Sequence, residues 1–189
     1  MAKKQRVCPW WGGYFIDNPL RRLLHNPEKI LAPYVEPGMR TLDFGCGMGF
    51  FSIAMAKLTG EDGQVIAADL QPQMLVRVQF RAGRAGVGSR VQTQQCGKDA
   101  IGLDAPIDFA LAFWSAHEAA KMENLLQEVH AHLAPQGKFL VIEPKGHVPQ
   151  EDFDAMVAIA YNTGFEAAPG PAARFSQSVA FTKTSGAET

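Results

Sequence analysis

Thr41-Leu42-Asp43-Phe44-Gly45-Cys46-Gly47-Met48-Gly49-Phe50-Phe51 is a short apolar run ending in an acid, then three glycines at alternate positions, then an apolar helical pattern. It predicts a strand that turns through a glycine loop into a helix. Glycine reaches φ values above zero without strain and has no Cβ to hold a ligand off the backbone. A ligand lying on such a loop meets N–H groups at the start of the following helix, where the partial positive charge favours a carboxylate or phosphate.

Working outward, the helix is expected over residues 49–58, with Gly60 as its stop. Gln64-Val65-Ile66-Ala67-Ala68-Asp69 is a continuous apolar strand closed by a second acid. Gln71-Pro72 opens the next helix, with Met74, Leu75, Val78 and Ala82 as its apolar stripe. Residues 91–95 alternate, as a half-buried strand does, whereas 107–114 are almost wholly apolar, as in a strand covered on both faces. A helix over 118–133, a strand over 137–143 and a helix over 150–163 follow. Two strand-like pieces, 165–167 and 174–184, are joined through Pro169-Gly170-Pro171.

Strands separated by helices demand a doubly wound, mostly parallel sheet. The final pair, with only a turn between them, makes the last strand antiparallel. The fold class is therefore α/β, with seven strands. Residues 1–37 read as a separate aromatic and helical segment and 38–189 as the ligand-binding domain. Asn18-Pro19 and Asn26-Pro27 each mark a helix start, and Cys8-Pro9-Trp10-Trp11-Gly12-Gly13-Tyr14-Phe15 is expected to fold back over the carboxyl edge of the sheet.

The chain has 189 residues, 47% of them hydrophobic and 20% charged, with a net charge of −1. That composition suits one globular domain and gives no electrostatic footprint for nucleic acid. The basic N-terminus has no apolar stretch behind it, so a cytoplasmic location is expected, with no membrane partner. Cys8, Cys46 and Cys96 have neither disulfide-framework nor zinc-ligand spacing, and no metal is expected. Arg77, Arg81 and Arg84 share one helix face, read as solvated. A homodimer is compatible with the sequence.

In an open parallel sheet the ligand crevice lies beyond the carboxyl ends of the strands, where strand order reverses. Asp69, 20 residues after Gly49, stands where a carboxylate can accept from adjacent ribose hydroxyls. Asp43 lies beneath the loop, placed to hold its amides or to receive an ammonium group through water. The glycines are spaced GxGxG, not the GxGxxG of dinucleotide sites, and no GKS or GKT accompanies them.

Asp43-Phe44-Gly45-Cys46-Gly47-Met48-Gly49, the acid Asp69 and the paired terminal strands together resemble the class I S-adenosylmethionine-dependent methyltransferases. The resemblance implies that Gly45, Cys46 and Gly47, with Asp43 below them, pass under the methionine part of S-adenosylmethionine. It implies further that Asp69 binds the ribose and Leu70 presses on the adenine. Gly97-Lys98-Asp99-Ala100 is similar to the family's Gly-Asp-Ala turn, with a lysine inserted, and would make Asp99 the acceptor for the adenine amino group. Phe113 would contact the methionine amino group through its backbone, and Trp114 would shape the acceptor pocket.

His117, just past Trp114, is the candidate general base, against the alternative of a helix-capping or exposed histidine. Trp11 and Tyr14 are candidates for the acceptor wall, against a purely packing role. His130 and His132 fall on different helix faces and cannot chelate together. The reading is methyl transfer from S-adenosylmethionine to a small-molecule acceptor. The alternatives are a non-catalytic regulatory protein that binds S-adenosylmethionine or S-adenosylhomocysteine, and a dinucleotide oxidoreductase, disfavoured by the loop spacing.

Overall fold

A computed structural model of the protein describes residues 24–97 and 100–184. Within them run α1 (Pro27–Leu31), β1 (Arg40–Phe44), α2 (Phe50–Leu58), β2 (Gln64–Asp69), α3 (Pro72–Arg84) and β3 (Val91–Gln95). They are followed by β4 (Ile107–Phe113), α4 (Met122–His132), β5 (Leu133–Pro144), α5 (Gln150–Thr163), β6 (Phe165–Pro169) and β7 (Ser176–Lys183). The strands form one sheet in the order β3-β2-β1-β4-β5-β7-β6. Pairings from β3 across to β5 are parallel, and β7 lies antiparallel to both β5 and β6. The expected architecture is therefore the observed one.

The apolar strands explain the double winding. Side chains alternate faces along a strand, so a strand apolar at every position feeds two cores. Val65, Ala67, Phe109, Leu111, Leu140 and Ile142 pack with α1, α2 and α3. Ile66, Ala68, Ala110, Ala112, Phe139 and Val141 pack with α4 and α5 on the other face. β3, at the sheet's edge, is only partly buried, as its alternating sequence requires.

Several boundaries follow from local chemistry. Asn26 caps α1, its side chain accepting from the Lys29 amide at 3.0 Å, while the helix start expected at Asn18 lies outside the described residues. α5 ends at Gly164, whose φ of 100° makes it the left-handed C-cap. The helix expected over 118–133 is shorter. A 3-10 turn occupies Ala116–Glu118, the backbone extends at Ala119, and α4 begins only at Met122. β5 in turn starts earlier than expected, because Leu133 already pairs with Ile107 before the register shifts at a bulge.

Strand order reverses between β1 and β4. β2 and β3 were laid down on one side of β1, and β4 and β5 on the other. The two loops leaving β1 and β4 diverge there, which opens a crevice at the carboxyl ends of both strands.

Candidate functional site

The glycine loop leaves β1 with Gly45, Gly47 and Gly49 at φ of 65°, 52° and 81°. Each glycine is required for a different reason. A Cβ at Gly45 would stand 2.3 Å from Ser115 Cβ, so the loop packs directly on the chain leaving β4. There the Ser115 hydroxyl donates to the Phe44 carbonyl at 2.6 Å. A Cβ at Gly49 would meet the Val78 methyls at 3.2 Å, where α2 packs on α3. A Cβ at Gly47 would meet nothing within 4 Å, because that position faces the crevice. α2 then begins with no side-chain cap on its first turn.

Asp69 fixes the loop. Its Oδ2 accepts from the Gly47 amide at 3.0 Å and its Oδ1 from the Gln71 amide at 2.9 Å, so one carboxylate joins the glycine loop to the start of α3. Burial pushes its pKa up, against the pull of these backbone amides. Asp43 lies near the end of β1, beneath the loop. Its Oδ2 accepts from the Ser52 hydroxyl at 2.5 Å, which ties the end of β1 to the first turn of α2.

Around this loop lies a cleft of about 420 Å³, within the range of small-molecule sites. Cys96, Ala100 and Ile101 border it on the β3 side, beside Leu70. Glu128 of α4 holds that border in shape, accepting from the consecutive amides of Ile101, Gly102 and Leu103 at 2.7, 2.7 and 3.3 Å. On the β5 side the cleft is bordered by Phe113, Trp114, His117, Pro144 and His147. Trp114 has φ of 58°, unusual for a bulky residue. Its amide donates to the Ile142 carbonyl at 2.7 Å and its indole N–H to the Ser176 hydroxyl at 2.9 Å, and these bonds hold it there. His25 stands edge-on to both Phe113 and Trp114, with ring centroids 5.2 Å apart in each case.

His117 sits in the 3-10 turn after β4, and Glu143 ends the apolar run of β5. The Glu143 carboxylate takes both polar groups that His117 offers it. Oε1 accepts from the backbone amide at 3.0 Å and Oε2 lies 2.6 Å from ring Nδ1. Burial alone would lower the His117 pKa, but the hydrogen bond and charge of Glu143, with the charge of Glu118, outweigh it and hold the value above 6.5. The sequence nominated His117 but not Glu143. The signal for Glu143 was its place: an acid closing the apolar run Phe139–Ile142 at the ligand edge of the sheet.

The sequence-nominated residues Asp43, Gly45, Cys46, Gly47, Asp69, Leu70, Phe113, Trp114 and His117 all line the one cleft. Trp11, Tyr14 and Asp99 lie outside the described residues. Cys46 and Cys96 are buried, and desolvation is the chief cause that pushes the Cys46 thiol well up and the Cys96 thiol up to about 11. Neither is poised as a thiolate ligand, and among the described residues no metal-binding cluster of histidines, cysteines or carboxylates occurs.

Residues 35–169 match the model of a methyltransferase-domain family. The chain belongs to that family. It stands within the class I S-adenosylmethionine-dependent superfamily, and S-adenosylmethionine is the cofactor the membership implies. The chain is 32% identical over 108 residues to a ribosomal protein L11 methyltransferase from Thermus thermophilus, covering 57% of this chain and 36% of that protein. It is 27% identical over 122 residues to the ubiquinone/menaquinone biosynthesis C-methyltransferase UbiE of Shewanella oneidensis, covering 62% of this chain and 49% of the relative. The chain thus spans half or less of the length of these relatives. A methyltransferase from Aquifex aeolicus has the same fold, with a TM-score of 0.82 at 23% identity over 93% of this chain and 99% of its own. No helix among the described residues is long and apolar enough to cross a membrane.

The cleft fits the implied cofactor. Asp43, Asp69, Glu118 and Glu128 line it, against the single lysine Lys121 among the described lining residues. A cleft with that excess of carboxylates attracts a cation, such as a sulfonium carrying an ammonium group, and repels the diphosphate of a dinucleotide. The open, left-handed Gly47 completes the fit, since it lets a ligand lie on bare backbone.

Proposed function

We propose that the protein transfers a methyl group from S-adenosylmethionine to a small-molecule acceptor. The observation that carries this reading is the acid-lined cleft over the open Gly47, bordered at its β5 end by aromatic rings and His117. In this reading Gly45, Cys46 and Gly47 carry the methionine part, with its carboxylate toward the uncapped first turn of α2. Asp69 accepts from the ribose hydroxyls through the lone pairs its two amide bonds leave. Leu70 and Ile101 enclose the adenine, and the Phe113 backbone receives the ammonium group. The bound cofactor supplies an electrophilic methyl group. The chain's residues align the acceptor, exclude water with Phe50, Phe51, Phe113 and Trp114, and take a proton on His117 when the acceptor carries one.

The similarity to UbiE, whose name is that of a quinone-biosynthesis enzyme, supports a compact acceptor, and the similarity to the ribosomal protein L11 methyltransferase defines the competing outcome. The test has two arms. S-adenosylmethionine and S-adenosylhomocysteine should raise the melting temperature while NAD leaves it unchanged. Label from methyl-labelled S-adenosylmethionine should then appear on members of a panel of quinols, phenols, thiols and arsenite. Absence of any shift with either sulfur compound would overturn the cofactor reading. Transfer only to ribosomal protein or RNA would overturn the small-molecule acceptor.

A further inference from the structure

We infer that Glu143 is the positioning residue of a His117–Glu143 dyad, and that the acceptor is a proton-bearing nucleophile, a phenolic or enolic hydroxyl or an acidic carbon. This rests on the methyl-transfer reading above and narrows it, since a thiolate or arsenite acceptor needs no base.

Glu143 has 2% of its side-chain surface exposed and His117 22%, so the acid is withdrawn into the protein while the ring stands at the cleft. Burying a carboxylate is costly unless its partners are well placed. Both Glu143 oxygens are given to one residue, 26 positions away in sequence, at 3.0 and 2.6 Å. With the backbone amide donating to Oε1, the ring's Nδ1–H is the group that donates to Oε2. This fixes the tautomer in which Nε2 carries the lone pair. The same logic orients the histidine of a serine-protease triad.

Among the described residues, titratable groups face the ring from β5, from its own turn and from the segment after β5. These include Glu143 on β5, Glu118 in the ring's own turn, and His147 after β5, whose ring meets it edge-on at 4.9 Å. The two carboxylates make the ring a stronger base, and His147 limits where it can swing.

The chemistry is balanced without a further reactant. The acceptor's O–H or C–H bond breaks and its proton goes to Nε2. The electron pair left on the acceptor forms the new bond to carbon. The carbon–sulfur bond of the sulfonium breaks with its pair remaining on sulfur, giving a neutral thioether. Buffer later removes the proton from His117.

Glu143→Gln separates positioning from support. The amide oxygen can still accept from the His117 backbone amide, but its NH2 would then face Nδ1, which favours the opposite tautomer. In the unliganded protein, histidine NMR should show Nε2–H in place of Nδ1–H and a His117 midpoint below that of the wild type. S-adenosylhomocysteine affinity by calorimetry should stay within about twofold. Transfer to catechol or hydroquinone should fall by about 100-fold or more, and the rise of wild-type rate with pH through the His117 midpoint should move with it. An unchanged tautomer and midpoint would overturn the dyad. Equal methylation of dithiothreitol or arsenite by wild type, Glu143→Gln and His117→Gln would overturn the acceptor class. Should Glu143→Gln not fold, His117→Gln decides: retained S-adenosylhomocysteine binding with lost transfer to hydroxyls supports the inference, and retained transfer refutes it. A wild type that binds S-adenosylhomocysteine but methylates nothing in the panel counts against the methyl-transfer reading, while the NMR result still judges the dyad.

Discussion

Gly47→Ala puts one methyl group where the structure has nothing within 4 Å, in the floor of the cleft. Its effect on stability is confined to the backbone. A non-glycine residue at φ of 52° costs about 1–2 kcal/mol. For a domain of this size that lowers the melting temperature by roughly 2–8 °C. Gly86→Ala is the matched control, since Gly86 has φ of 73°, has nothing within 4 Å of its Cβ, and lies past the end of α3, away from the cleft. The two variants should lose similar stability and differ in binding. With S-adenosylhomocysteine at 100 times the wild-type Kd, ligand stabilises wild type and Gly86→Ala by about 2.7 kcal/mol. A tenfold loss of affinity in Gly47→Ala cuts that to about 1.4 kcal/mol, and a hundredfold loss to about 0.4 kcal/mol. Gly45→Ala should be worse folded than either, because its methyl overlaps Ser115 as well. Differential scanning fluorimetry with and without ligand, backed by calorimetric Kd values, reads all three. If Gly47→Ala binds S-adenosylhomocysteine within twofold of wild type, the ligand does not lie against this loop and the site reading is wrong.

Asp69→Ala leaves the Gly47 and Gln71 amides without their acceptor, so the unliganded protein should lose about 2 kcal/mol as well as its cofactor affinity. An unaltered melting temperature without ligand would show that the carboxylate does not hold the two loops together. The His117 pKa is raised in the folded state, so the stability it contributes is fully present below its ordinary 6.5 and is lost as pH rises through the higher folded value. Melting temperature should therefore decline over that interval, less so in Glu143→Gln, and an identical slope in both would refute the pairing. With its pKa at about 11, Cys96 is a thiolate in only about one molecule in a thousand at pH 8. Iodoacetamide should thus leave Cys46 and Cys96 unmodified until denaturant is added, as peptide mass spectrometry would report, and prompt alkylation of either would contradict their burial.

The parts of the molecule legible in sequence were those set by local chemistry or by period. Three alternating glycines after Asp43 could only be a turn, and strands apolar at every position could only feed two cores. Asp69 could be placed beside the loop from its distance along the chain, but its hold on the Gly47 amide could not, because that amide meets it only once β1 and β2 pair. What was not legible depends on pairing across the sheet. Glu143 meets His117 only because β4 and β5 are adjacent and end at the same level. Ser115 presses on Gly45 only because β1 and β4 are neighbours. Glu128 carries no signal in the sequence, because the amides of Ile101, Gly102 and Leu103 that it accepts from lie 25 to 27 residues before it. The shortened α4 was missed for a related reason. Apolar spacing shows where a helix can run, but the 3-10 turn that places His117 under Glu143 takes the residues that would have begun it.

The order in which the sheet is closed sets a constraint on how the protein is made. β7 inserts between β5 and β6, pairing along β5 from Lys138–Thr182 to Pro144–Ser176, although it is the last of the strands to be synthesised. Until it arrives, β5 presents an unsatisfied edge, which is a template for pairing with another chain. The strand that waits is the one that carries Glu143. A nascent or truncated chain lacking β7 would thus aggregate through the same strand that orients the histidine, and loss of activity and loss of solubility would share one origin.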